Sequence, residues 1–223
     1  MPVYPISLNL EEKHCVVIGG GKVAERKISG LIPSPCQITV ISPRITERLH
    51  HWVNGKRLTW RCKCYETGDL QGAFLVFAAT NDPEVQAAIA REAKSAGALI
   101  NVADAPAACD FHVPAVLNRG DLQITVSTHG KSPAVAALVK QHLSGWIGPE
   151  YAALTVLAGL VREQVLLRQE SDEARRLIFQ KIFNNDLLHW LRTKQWPHIL
   201  THLEKELGQP LNFDLAMQLE ENS

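Results

Sequence analysis

The sequence lacks any run approaching the roughly 18 apolar residues that a membrane-spanning helix needs. Its opening, MPVYPISLNLEEKH, has neither the basic start nor the apolar stretch of a secretory leader. It lacks an excess of charge: 23 Lys and Arg balance 23 Asp and Glu. A broad electrostatic grip on nucleic acid or on an anionic membrane is therefore not expected, although a local basic pocket is allowed. Cysteine is scarce and odd in number (Cys15, Cys36, Cys62, Cys64, Cys109), with no CxxC pair. That argues against a structural zinc site and for reduced thiols in a cytoplasmic protein. The histidines show no ligand spacing either. His198 and His202 are four apart, but no HExxH frame surrounds them. No bound metal is expected. Internal repeats and low-complexity blocks are absent. What remains is a soluble chain of 223 residues, 46% hydrophobic, enough to bury a core and long enough for two domains.

The first hundred or so residues alternate between short apolar runs and helical stretches, the pattern of a mostly parallel α/β sheet. Strands are expected at His14–Ile18, Gln37–Ile41, Leu58–Cys62, Phe74–Ala78 and Leu99–Val102. A helix is expected over Lys22–Leu31, stopped by Pro33, and another after Asp82, with Asp82 as N-cap and Pro83 at the first helical position. After Asp104 the texture changes. Ala115–Leu117 and Leu122–Val126 flank the turn sequence Asn118-Arg119-Gly120-Asp121, which reads as an antiparallel hairpin. Ser132-Pro133 then opens a helix to about Leu143, broken by Gly145, Gly148 and Pro149. From Tyr151 onward, residues such as Leu154, Leu157, Leu160 and Val161 recur at helical spacing. The expected architecture is an N-terminal Rossmann domain (1–112), an α+β segment (113–147) and an all-helical C-terminal region (148–223).

Between the first strand and the first helix lies Gly19-Gly20-Gly21-Lys22-Val23-Ala24, a G-x-G-x-x-A motif in its required context. Gly19 permits the tight turn, Gly21 lets the backbone approach a pyrophosphate, and Ala24 lets the helix pack closely on the strand. The helix start supplies N–H groups and a positive dipole end for phosphate. One customary element is missing. No Asp or Glu ends the second strand to hold the adenosine ribose; the chain there reads Ser42-Pro43-Arg44. Ser42 can hydrogen-bond, and Arg44 is either a solvated turn cation or a partner for a 2′-phosphate, so the residues leave NAD and NADP open.

Three further segments follow the glycine loop in order: Ala78-Ala79-Thr80-Asn81-Asp82, then Asn101-Val102-Ala103-Asp104-Ala105-Pro106, then Ser127-Thr128-His129-Gly130-Lys131-Ser132-Pro133. Together with Gly19–Lys27 they resemble the precorrin-2 dehydrogenase/sirohydrochlorin ferrochelatase family. That family comprises the dehydrogenase/chelatase module of siroheme synthases and its stand-alone forms. The resemblance is firm over about residues 1–145. It implies NAD-dependent oxidation of precorrin-2 to sirohydrochlorin, in some members with Fe²⁺ insertion, by a homodimer whose middle segment dimerises. It also implies the stand-alone form, without the methyltransferase domain of the bifunctional enzymes.

The resemblance makes Asp104 the essential carboxylate. It places cofactor contacts at Lys22 and Val23 and at Pro43 and Arg44, and tips the cofactor to NAD. Thr80, in the second shared segment, joins the cofactor set with Gly19, Gly21, Ala24 and Ser42. Independently of resemblance, Asp104 follows the fifth strand, at the sheet edge where such folds bind ligands. A carboxylate there can take a proton, or it can merely organise the turn before Pro106. Thr128, His129, Lys131 and Ser132 form a loop opening a helix, a candidate clamp for the substrate's carboxylates, with an ordinary capped helix as the alternative. The competing reading of the whole chain is an NAD-binding sensor domain that gates a partner without catalysis. A sensor needs the glycine loop but not Asp104.

Overall fold

In the computed structural model, residues 3–168 and 171–209 are described, and the chain divides into two compact units, Met1–Val113 and Pro114–Ser223. The part of the helical reading that falls on residues 210–223 lies outside the described residues.

The first unit is a five-stranded parallel sheet in the order β3-β2-β1-β4-β5. Its strands are β1 (His14–Ile18), β2 (Gln37–Ile41), β3 (Thr59–Arg61), β4 (Leu75–Ala78) and β5 (Leu99–Val102). The inner strands read as continuous apolar runs because helices cover both faces. Cys15–Ile18 and Leu75–Ala78 are buried throughout. Alternation splits them between two cores. Val16, Ile18, Val76, Ala78, Ile100 and Val102 pack with Ile89 and Ala93 of α3 (Pro83–Ala96). Cys15, Val17, Leu75 and Phe77 pack with Ala24 and Ile28 of α1 (Lys22–Leu31) and with Leu49 of α2 (Glu47–Asn54). Asp82 caps α3 as its sequence implied, accepting from the N–H groups of Glu84 and Val85. The helix α2, absent from the sequence reading, is capped by Thr46, whose hydroxyl accepts from Leu49 N–H.

The second unit opens with the expected hairpin, β6 (Ala115–Arg119) and β7 (Leu122–Val126), paired antiparallel. The strand β6 runs two residues further than its apolar run, because Arg119 pairs directly with Leu122 across a tight Gly120-Asp121 turn. Gly120 sits at φ +55°, and a Cβ there would lie 2.9 Å from that of Ala152. The following helix, α4, spans Pro133–Trp146 and contains Gly145, which therefore does not break it. Arg119 secures its end by donating to the carbonyls of Ile147 and Ser144. Among the described residues four helices follow: α5 (Glu150–Leu166), α6 (Asp172–Ile182), α7 (Asn185–Arg192) and α8 (Trp196–Leu207). Their core takes Ala153, Leu157, Val161 and Val165 from α5, one residue per turn.

Candidate functional site

Strand order reverses between β1 and β4, which are neighbours although β2 and β3 lie between them in sequence. The crevice outside the carboxyl ends of strands at such a reversal is where doubly wound sheets bind ligands. The loops leaving β1, β2, β4 and β5 carry the expected residues of the first unit, Gly19 to Ala24, Ser42 to Arg44, Thr80 and Asp104.

The three glycines do three different things. Gly19, at φ +113°, lies under the β4–α3 loop, where a Cβ would meet Ala79 O at 2.3 Å. Gly20 lies under the turn after β2, where a Cβ would sit 2.0 Å from Arg44 O and 2.9 Å from Ser42 Oγ. Gly21, at φ −86°, has nothing within 4 Å of its Cβ position. The fold itself demands Gly19 and Gly20, whereas Gly21 leaves open space just where α1 begins. No side chain caps α1, while Thr46 caps α2 and Asp82 caps α3. The first N–H groups of α1 thus keep their capacity for a phosphate. These features fit a dinucleotide. The role of Gly20 was missed in the sequence because the motif treats that position as free.

Ala24 is fully buried against the sheet, and Val23 is half-buried. Lys22 is exposed, with Nζ 3.3 Å from Glu25 Oε2. Glu25, whose carboxylate also lies 3.9 Å from Arg48, is a second site-forming residue that the sequence did not single out. Hydrogen bonding from Thr46, aided by Lys22 and Arg48, holds its carboxyl below the usual range. Glu25 thereby ties α1 to the start of α2. Ser42 is buried and donates its hydroxyl proton to Arg44 O at 2.7 Å, and its carbonyl accepts from Trp60 Nε1 at 2.9 Å. Pro43 and Arg44 are exposed. Thr80 accepts from Asp82 N–H and Gln86 Nε2, which folds the β4–α3 loop over Gly19.

Asp104 stands in the left-handed region at φ +58°, where Asp is tolerated better than most residues. The loop after β5 is held by other groups. Asp110 pairs with Ile100 through both side chain and backbone, and Asn101 Nδ2 donates to Phe111 O at 2.9 Å. The Cys109 thiol accepts from Val102 N–H and donates to the carbonyls of Val102 and Ala105. The exposed Asp104 carboxylate has no hydrogen bond or ion pair among the described residues. The turn is therefore built without the Asp104 side chain. Lys27 joins this neighbourhood. Its Nζ lies 5.7 Å over the Phe77 ring, burial lowers its pKa, and Asp104 and Cys109 oppose that shift.

In the second unit, the loop between β7 and α4 holds itself together. Thr128 Oγ1 accepts from Ser132 N–H and donates to Ser132 O, and Ser132 caps α4 by accepting from Val135 N–H. Both hydroxyls are thus engaged within the loop. His129, at φ +54°, and Lys131 are exposed. Among the described residues no group of three His, Cys, Asp or Glu is disposed to hold a metal ion, and no helix is long and apolar enough to cross a membrane.

Residues 6–115 match a family described as putative NAD(P)-binding, and residues 119–145 match one described as sirohaem biosynthesis protein central. The siroheme synthase of Xylella fastidiosa (strain M12) is 35% identical over 208 residues, 93% of this chain and 44% of that protein. The siroheme synthase of Methylobacillus flagellatus is 34% identical over 183 residues, 82% of this chain and 39% of that protein. The chain belongs to the precorrin-2 dehydrogenase and siroheme synthase family. It spans less than half the length of those two relatives. A solved member, described as SirC, precorrin-2 dehydrogenase, superposes with a TM-score of 0.74 at 25% identity, covering 91% of this chain and all of that one. The first family match falls almost wholly on the N-terminal unit, and the second on residues of the hairpin and α4.

Proposed function

We propose that this protein oxidises precorrin-2 to sirohydrochlorin with NAD⁺ as acceptor. The observation that carries the reading is the pairing of an open, uncapped glycine loop with an unengaged carboxylate, Asp104, at one sheet edge. A nucleotide sensor would need only the first. NAD⁺ bound at the loop supplies hydride acceptance. The α1 N–H groups and Gly21 hold the pyrophosphate, Ser42 accepts from an adenosine ribose hydroxyl, and Thr80 closes over Gly19. Asp104 takes the proton released as the macrocycle loses its hydride. Its freedom from internal hydrogen bonds suits that role, because an engaged carboxylate would first have to break a bond. In the second unit we assign the substrate's carboxylates to His129 and Lys131. Thr128 and Ser132 shape that loop and present its backbone. The same carboxylate can accept pyrrole protons during Fe²⁺ insertion, as a second activity.

We also assign a homodimer, formed through α4. Val135, Leu138, Val139 and Trp146 fall on one stripe of that helix and are 39–75% exposed, an apolar face that a second copy of the same segment can cover. The five free thiols suit action in the cytoplasm. Incubating the protein with precorrin-2 and NAD⁺ tests the activity: NADH and sirohydrochlorin should appear in equal amounts, and NAD⁺ binding without turnover would favour the sensor. Light scattering tests the assembly. Leu138→Glu should shift a dimer to monomer, and a wild-type mass of 24.7 kDa at all concentrations would exclude the dimer.

A further inference from the structure

Lys27 holds a charge that neither nucleotide binding nor proton transfer, as assigned, employs. It is half-buried on α1, and its ammonium makes no hydrogen bond or ion pair among the described residues. Two other lysines of this unit are paired: Lys22 with Glu25 at 3.3 Å, and Lys63 with Glu66 at 2.8 Å and Asp69 at 3.0 Å. Withdrawing an ammonium from water without a partner is costly. What Lys27 has instead is the face of Phe77, with Nζ 5.7 Å from the ring centroid. The helix α1 begins just beyond the carboxyl end of β1 and returns to the opposite edge, where the parallel strand β2 starts. Side chains on a helix lean back toward its N-terminus. The Lys27 stem therefore leans toward the carboxyl edge of the sheet, where Asp104 lies.

Phe77 pairs in register with Asn101 on β5, and the Asp104 loop leaves β5 directly after Val102. Asn101 in turn donates to Phe111 O, and the Phe111 ring meets that of Phe77 edge-on at 5.5 Å. Phe77 thus borders both Lys27 and the segment that closes the Asp104 loop. The charges that Lys27 senses agree with this placement. Burial lowers its pKa most, Arg26 lowers it further, and Cys109 and Asp104, both in that loop, raise it. Asp110, the other carboxylate of the loop, is spent on Ile100 N–H at 3.0 Å, and Asp82 is spent on the start of α3. An unpaired cation and an unengaged carboxylate therefore meet at one loop. A macrocycle that covers this edge strips water from the carboxylate, and a desolvated carboxylate favours its neutral form unless a cation stands by. We propose that Lys27 is a positioning residue for Asp104, holding the carboxylate charged and in place once the macrocycle has displaced its water. The hydride leaves for NAD⁺, the proton goes to an Asp104 carboxylate oxygen, and Lys27 keeps its own protons throughout.

The inference rests on the oxidation reading above, and two measurements on the whole chain separate them. The first needs no turnover. Acetylation of Lys27 by acetic anhydride at mildly alkaline pH, read by mass spectrometry, reports how much of the amine is free. Asp104→Asn removes the opposing charge and should speed that acetylation by about threefold or more, the scale of one unit charge across a partly screened gap, while Lys63 should be unaffected. The second is a double-mutant cycle on the oxidation of precorrin-2 by NAD⁺. Lys27→Met should lower kcat by about tenfold to a hundredfold, the scale of a misplaced reacting group, with KM for NAD⁺ within about threefold. Lys27→Arg should restore most of the rate. In the Asp104→Asn background, Lys27→Met should change kcat by less than about threefold. Calorimetry with NAD⁺ checks that each variant folds, and Lys27→Gln replaces Lys27→Met if the latter does not. Acetylation unmoved by Asp104→Asn overturns the proposal, as does an equal loss from Lys27→Met in both backgrounds or an equal loss in Lys27→Arg. A wild type that binds NAD⁺ but never reduces it overturns the oxidation reading, and this role of Lys27 with it, whatever the acetylation shows.

Discussion

Replacing Gly21 by Asp should raise stability slightly and abolish cofactor binding, two effects of opposite sign from one side chain. Gly21 is the N-cap of α1, with φ −86° and ψ −170°, an extended conformation open to any residue, and its Cβ direction is empty to 4 Å. Asp is among the best N-cap residues, and a negative charge at a helix start adds roughly 0.3–1 kcal/mol. The fold should therefore gain up to about 1 kcal/mol. The same carboxylate would stand where the pyrophosphate approaches. Two unit charges about 4 Å apart at a protein surface repel by roughly 4 kcal/mol, or about a thousandfold in affinity at 1.4 kcal/mol per tenfold. The matched control is Gly20→Ala. Its single methyl would lie 2.0 Å from Arg44 O, a backbone atom that cannot yield without moving the whole turn. Overpacking of that kind costs about 1–3 kcal/mol. Urea unfolding and NAD⁺ calorimetry on both variants provide the assay. Gly21→Asp with NAD⁺ affinity within threefold of wild type would refute the placement of the phosphates. A Gly21→Asp variant less stable than Gly20→Ala would refute the division of labour among the glycines.

Two further outcomes follow from the site and its sheet. Asp104→Asn keeps a residue that tolerates φ +58° and should fold normally while slowing oxidation by about 10²–10⁴-fold, the usual scale for one positioned acid–base group; steady-state kinetics near wild type would remove Asp104 from the chemistry. Half-buried His14, hydrogen-bonded through Nε2 to Thr39 Oγ1 at 2.9 Å, has its pKa lowered by burial and then by Arg61. The unfolded chain therefore binds the proton first as pH falls below about 6.5, and stability should drop across that window. Urea unfolding at pH 7.5 and at pH 5.5 should show a larger loss in wild type than in His14→Gln, and equal losses would remove His14 as a cause.

The strands and the glycine loop were legible in the sequence because each rests on local physics. Buried parallel strands must be apolar throughout, and a helix start next to Gly-x-Gly is written in consecutive residues. Asp82 and Ser132 were readable as caps for the same reason, since a cap bonds two or three residues ahead. The order of strands and the work of Gly20 were not. Gly20 is required by Arg44, and that contact exists only because β2 lies beside β1. The helix α2 hid because its eight residues bury only Leu49, too faint a stripe to see without the sheet beneath it. The family resemblance and its place after β5 marked Asp104, but neither shows that its loop is pinned by Asn101, Cys109 and Asp110, which leaves its carboxylate unengaged. The sequence by itself determined which segments become strands and which glycine turn is the candidate for a nucleotide's phosphates. Tertiary structure decided which polar groups are already spent and which are left for chemistry, because hydrogen bonds between distant segments consume donors and acceptors that a linear reading counts as free.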